Sequence, residues 1–127
     1  MIKNLSHISL STNSLKKVKD FYIKKLKLKI VHTFKNDKKF CYGYFISVGK
    51  TTMLEFFLSK KKKKDSFPLR HICFEVYNIF SQARKLKIKK DKISRGKTDN
   101  ILQFFVKDLE GNIIEFHQKD KKSKFLN

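Results

Sequence analysis

Residues 100–118, NILQFFVKDLEGNIIEFHQ, decide the fold. They read as two short strands joined by a turn at Asp108-Leu109-Glu110-Gly111-Asn112. In the second strand Ile113, Glu115 and His117 share one face, and Ile114 and Phe116 share the other. A carboxylate in the middle of such a strand needs a reason, because burying an unpaired charge is costly. The rest of the chain offers one. Met53-Leu54-Glu55-Phe56-Phe57 has the same form as Ile113-Ile114-Glu115-Phe116-His117. Upstream of each lies a second matched pair, Leu5-Ser6-His7-Ile8-Ser9 and Leu69-Arg70-His71-Ile72-Cys73. His7 precedes Glu55 by 48 residues and His71 precedes Glu115 by 44, so the spacing repeats as well. The chain reads as two copies of one module, each with a strand-borne His and a strand-borne Glu.

Outward from these strands, each module gives the order strand, helix, strand, strand, strand. In the first, Asn4–Ser11 alternates as a strand, with Leu5, His7 and Ser9 on one face and Ile8 and Leu10 on the other. Thr12-Asn13-Ser14 starts a helix that runs to about Lys25, with Leu15, Val18, Phe21 (or Tyr22) and Leu26 at helical spacing. Lys27–Phe34, Phe40–Val48 and Thr51–Leu58 read as strands, with a hairpin signal at Gly49-Lys50. In the second, Arg70–Val76 is a strand and Asn78 caps a short helix bearing Ile79, Ala83 and Leu86. Lys90–Ser94 is a weak edge strand, ahead of the Ile101–Lys107 and Ile113–Gln118 hairpin.

The expected fold class is therefore α+β: two βαβββ modules in tandem, forming curved mixed sheets around a metal pocket. One domain spans residues 1–127. Module one covers about 2–58, a Lys-rich connection 59–68, module two about 69–118, and a polar tail, expected to fray, 119–127.

The net charge is +20, from 31 basic and 11 acidic residues, which raises nucleic acid or an anionic surface as a partner. Only Arg70, Arg84 and Arg95 are arginine, whereas planar recognition of phosphate and bases favours Arg. The Lys excess is read as compositional, and neither nucleic acid nor membrane is expected as a partner. No apolar run is long enough to span a bilayer, and the N-terminus lacks the basic-then-apolar pattern of a signal peptide. Cys41 and Cys73 sit in strand-like segments and read as reduced thiols, consistent with a cytoplasmic protein.

Taken singly, a strand His is most often a satisfied core residue, and a strand Glu usually faces water. The repeat changes the balance. His7, Glu55, His71 and Glu115 together make a divalent-metal set, and mixed imidazole and carboxylate ligation suits Zn, Ni, Fe, Mn or Co without choosing among them. Four such ligands in an octahedral shell leave two positions for water or substrate.

The segments LSHISLSTNSLKKVKDFYIKKLKLKIV, LRHICFEV and DNILQFFVKDLEGNIIEFHQ resemble the vicinal oxygen chelate superfamily over residues 2–118. That superfamily includes glyoxalase I, methylmalonyl-CoA epimerase, extradiol dioxygenases, and the fosfomycin and bleomycin resistance proteins. KDLEGNIIEFHQ matches the family's D-x-[DE]-G-N-x-[IL]-E end strand, and DFYIKKLKLKIV its FY-x-x-x-LG-[FL] helix, with Lys27 where the family has Gly.

By this resemblance His7, Glu55, His71 and Glu115 fall at the metal ligands of glyoxalase I. Epimerases have Gln at the second position, so Glu55 points to a lactoylglutathione-lyase-like lyase or isomerase. Such an enzyme abstracts a proton alpha to a carbonyl through a metal-stabilised enediolate. Glu115 is then the expected base, with Glu55 the other catalytic candidate. The alternatives are another activity of the superfamily (epimerase, extradiol dioxygenase or thiol transferase) or a non-catalytic small-molecule or antibiotic-binding module. Glyoxalase I has an Arg four residues after the first His, where this chain has Ser11. Arg70 and Arg95 are the candidate pocket cations, and His117 is a further pocket candidate on the face of Glu115. A homodimer acting on a small-molecule substrate is the expected assembly, since exposed sheet edges invite burial.

Overall fold

The structure is a computed structural model that describes residues 1, 5–60 and 69–124. Its central turn is built by Asp108. One carboxylate oxygen accepts from the backbone N–H groups of Glu110 and Asn112 at 2.9 and 2.8 Å, and the other accepts from Asn112 Nδ2 at 2.6 Å. Gly111 takes φ +85°, a left-handed conformation that glycine adopts without penalty. The D-x-E-G-N run is thus a turn lock that fixes the hairpin and, through it, the register of the Glu115 strand.

The chain divides into two compact units, Met1–Lys64 and Asp65–Asn127. The first contains β1 (His7–Thr12), α1 (Leu15–Val18) running into a π-helical segment (Lys19–Lys25), β2 (Lys29–Lys35), β3 (Cys41–Val48) and β4 (Thr52–Leu58). Its sheet has the order β1-β4-β3-β2, with β1 parallel to β4 and the other pairs antiparallel. The second contains β5 (Ile72–Glu75), α2 (Ile79–Lys85), a 3-10 turn (Lys90–Lys92), β6 (Ser94–Arg95), β7 (Leu102–Lys107) and β8 (Ile113–Gln118). Its order, β5-β8-β7-β6, repeats the first, again with the outer pair β5 and β8 parallel. This is the tandem βαβββ architecture expected from the repeat.

In the first unit Leu10, Tyr44, Ile46, Leu54 and Phe56 project from the sheet to one side and are buried with Val18, Phe21 and Tyr22 of the helix. Each large apolar side chain sequestered this way stabilises the unit by about 1.5–3 kcal/mol. Helical spacing left Phe21 and Tyr22 as alternatives; the structure buries both, with their ring centroids 5.0 Å apart. The helix there widens to i→i+5 bonding, Leu26 N donating to Phe21 O at 3.0 Å, so adjacent rings pack side by side. In the second unit Ile72, Phe104, Ile114 and Phe116 are buried with Ile79 and Ala83 of α2, and Phe104 stacks on Phe116 at 5.1 Å. Each helix ends on a lysine at positive φ, Lys27 at +60° and Lys87 at +57°, followed by Leu28 or Ile88 donating back into the helix. Lys27 therefore occupies a glycine-favouring conformation.

Several boundaries differ from expectation. The weak strand at Lys90–Ser94 is a 3-10 turn followed by a two-residue β6, because Lys90-Asp91-Lys92 offers no apolar alternation to pair. His71 stands one residue ahead of β5 rather than within it. Over Lys119–Lys124 the tail is tethered by hydrogen bonds. Arg95 holds Asp120 through Nη1–Oδ1 and Nη2–Oδ2 contacts of 3.1 and 2.6 Å. Asn100 Nδ2 donates to Lys122 O at 2.9 Å, and Lys124 N donates to Asp99 O at 2.7 Å. Residues 61–68 of the Lys-rich connection and 125–127 of the tail lie outside the described residues. No helix among the described residues is long and apolar enough to cross a membrane.

Candidate metal centre

Each sheet has a helix-covered face and an open face, and period two puts the predicted ligands on the open one. In the first unit Ile8 pairs with Leu54 and Ser9 with Glu55. His7 and Glu55 are therefore diagonal neighbours on adjacent parallel strands. Phe45 pairs with Glu55 on the other side, and the His7 ring meets its edge with centroids 5.6 Å apart. Beyond Glu55 the face is aromatic, with Phe34 5.0 Å from both Phe45 and Phe57, and Tyr42 stacked on Phe57 at 5.9 Å. Gly43, opposite Phe57, leaves room for that ring: a Cβ there would lie 2.6 Å from Phe57 Cδ1 and 2.6 Å from Phe56 O.

The second unit repeats the register. Ile72 pairs with Ile114 and Cys73 with Glu115. His71 Nε2 lies 2.9 Å from Glu115 Oε2, so the first His and the last-strand Glu of this module are in contact. Glu115 is only 9% exposed. A carboxylate that secluded calls for a cationic or hydrogen-bonding partner, and His71 is one. Cys73 Sγ, a Glu115 oxygen and a His117 ring nitrogen also lie within 4.8 Å of one another. Although part of its surface is exposed, desolvation pushes the Cys73 thiol up to about 12, and the adjacent Glu115 carboxylate adds to the shift. The thiol therefore keeps its proton through neutral pH.

The donor types fit a divalent cation. Imidazole and carboxylate on one sheet face, with one carboxylate secluded, form the ligand chemistry of Zn, Ni, Fe, Mn or Co sites. His7 and Glu55 share one open face, and His71 and Glu115 are in contact on the other. Arg95 is elsewhere: it pairs with Leu102, which pairs with Gln118, and so projects from the side of its sheet opposite to Glu115. There its guanidinium is committed to Asp120 and, at 2.8 Å, to Asn100 O. Arg70 lies ahead of β5, outside the strand, and Ser11 is exposed on the open side of β1. Cys73 stands against Ser9 in the matched modules and reads from sequence only as a reduced thiol; strand register is what places it beside Glu115.

A family model described as the Glyoxalase/Bleomycin resistance protein/Dioxygenase superfamily matches residues 4–116. Among solved structures, a glyoxalase family protein from Enterococcus faecalis is 22% identical over 91% of this chain and 97% of its own, with a TM-score of 0.72. The protein SMU.1112c is 21% identical over 92% of this chain and 99% of its own, with a TM-score of 0.77. A glyoxalase/bleomycin resistance protein/dioxygenase from Alicyclobacillus acidocaldarius is 19% identical over 91% of this chain and 90% of its own, with a TM-score of 0.64. No match emerged among curated proteins. At these identities the structural likeness speaks for the fold. With the family match across nearly the whole sequence, the chain belongs to the glyoxalase/bleomycin resistance protein/dioxygenase superfamily.

Proposed function

We propose that the chain is a divalent-metal-dependent lyase or isomerase of the glyoxalase I type, which moves a proton on the carbon next to a carbonyl. The observation that carries this reading is the His71 Nε2–Glu115 Oε2 contact of 2.9 Å, at positions whose counterparts in the first unit are His7 and Glu55. His71 and Glu115 would hold the ion on the open face of the second unit, and His7 and Glu55 are their counterparts on the first. When bound, it would supply Lewis-acid polarisation of a substrate oxygen. Glu115 would take the proton: its low exposure limits competing water, and His71 orients its carboxylate. Glu55 is the second base candidate, on the more open aromatic face of the first unit. Ser11, in place of an Arg, provides no fixed cation for a carboxylate-bearing thiol adduct, so a small substrate without that group fits the face of β1 better.

The experiment is metal analysis of the purified chain together with a turnover screen over 2-oxoaldehyde–thiol adducts, acyl-CoA epimers and catechols. Glu55→Gln and Glu115→Gln should each lower metal retention and change turnover. If both substitutions leave metal content and turnover unchanged, the carboxylates are structural and the reading is wrong.

A further inference from the structure

The two units share a register but differ at two positions beside the last-strand Glu. Ser9 faces Glu55 across β1 and β4, whereas Cys73 faces Glu115 across β5 and β8. Phe57 follows Glu55 by two residues on the same face, whereas His117 follows Glu115 in that place. The second unit thus replaces a hydroxyl and a phenyl ring with a thiol and an imidazole. Both replacements point to the carboxylate they flank, and the three donor atoms lie within 4.8 Å of one another. The His–Glu set of the proposed function uses neither Cys73 nor His117.

We propose that Cys73, Glu115 and His117 form a second cation site, contained in the second unit, for a borderline-soft ion such as Zn2+ or Co2+. One sulfur, one nitrogen and one oxygen donor make a ligand set that such ions accept and that Mg2+ or Ca2+ does not favour. Ligand bonds of about 2.0–2.3 Å put tetrahedral donors roughly 3.5 Å apart, a separation reached from the present one by side-chain rotation. On binding, Cys73 gives its S–H proton to solvent and His117 coordinates as neutral imidazole; nothing is oxidised. Glu115 belongs to both sets, through His71 on one hand and through Cys73 and His117 on the other. An ion in the second site therefore draws Glu115 away from the first. The inference goes beyond the proposed function and survives its failure.

Co2+ added to the full chain is the probe, because a cobalt–thiolate bond gives a sulfur-to-metal charge-transfer band in the near ultraviolet. The wild-type chain should show the band. Cys41→Ser should retain it and Cys73→Ser should abolish it. His117→Phe, which copies the first unit, should weaken the Co2+ affinity read from the band. Loss of an outer-shell partner alone typically costs about 10–100-fold in metal affinity, so loss of a direct ligand should cost at least about tenfold. Glu55→Gln should leave the band intact. In parallel, X-ray absorption at the zinc edge of the Zn2+-loaded wild-type chain should show a zinc–sulfur distance of about 2.3 Å, so the site is tested even if one variant folds poorly. A saturated Co2+ complex without the band, a band that survives Cys73→Ser, or a Zn2+-loaded chain without a zinc–sulfur contact overturns the site. A chain that holds metal without the band would leave the proposed function standing. A band in a chain with no metal-dependent turnover would uphold the site and count against that function.

Discussion

Gly43→Ala tests whether the aromatic face beside Glu55 is set by how closely β3 and β4 approach. The new Cβ would sit 2.6 Å from Phe56 O and 2.6 Å from Phe57 Cδ1. Carbon contacts are comfortable at about 3.5–4.0 Å, so roughly 1 Å of separation has to be found. The Phe57 ring cannot simply turn aside, because it stacks on Tyr42 and packs on Phe34. The carbonyl is backbone in the adjoining strand, so moving it disturbs the pairing of Gly43 with Phe57. Overpacking of this kind costs about 1–3 kcal/mol, offset by about 0.5–1 kcal/mol from replacing a strand glycine with alanine. The net expectation is a loss of about 1–2 kcal/mol, or roughly 3–10 °C in Tm. Urea denaturation should show a lower midpoint at an unchanged slope. The near-ultraviolet circular dichroism of the Tyr42 and Phe57 rings should change with it. An alanine variant as stable as the wild type, with an unaltered aromatic signal, would refute the close-approach reasoning.

Two further outcomes are expected. Arg95→Ala should release the anchored tail, read as faster hydrogen exchange at Lys122 and Lys124 with β8 unchanged. The Arg95 guanidinium holds the Asp120 carboxyl well below the usual carboxylate range, so this pair stabilises the tail fully above about pH 4 and progressively less as pH falls and Asp120 takes up a proton. Wild-type protection should thus fade on acidification more steeply than that of the variant, which keeps only the Asn100–Lys122 and Asp99–Lys124 bonds; equal exchange in both at pH 7 would refute the anchor. Asn78→Ala removes the cap whose side chain accepts from Ser81 N at 2.9 Å and should cost about 1 kcal/mol in urea denaturation. An unchanged midpoint would mean that Gln118 Oε1, which accepts from Ile79 N at 2.8 Å, holds the start of α2 by itself.

The fold was legible because alternation and spacing repeat. His7 and His71, Glu55 and Glu115 stand at equal places in two similar sequence patterns, and strand pairing preserves that equality. The D-x-E-G-N turn was legible too, since Asp, Gly and Asn each have a local backbone task there. Where periodicity was absent, the reading ran out. Lys90-Asp91-Lys92 has no alternating face, and a two-residue strand such as β6 carries no period from which the side of Arg95 could be told. The widened helix at Phe21 and Tyr22 was hidden because two adjacent aromatics fit either of two helical registers. Asp120 looked like one charge in a polar tail, because its partner Arg95 is remote in sequence. The contrast of Ser9 with Cys73 and of Phe57 with His117 lay in the repeat itself, but it acquires chemical meaning only once the strands are in register.

In each unit the first strand finds its place only beside the last. β1 pairs with β4, and β5 with β8, so each sheet is completed by a parallel contact across more than forty residues. Closing a loop of that length costs roughly 3 kcal/mol of chain entropy before any contact returns it, and such non-local pairing slows folding. Hairpins β3–β4 and β7–β8 can form early, but the His-bearing segment arrives late. A cation that needs the His and the Glu of one unit together has no binding site until that step. The binding energy of such a cation would count wholly toward the closed state, so the seam between first and last strands, not either hairpin, is the part it would stabilise.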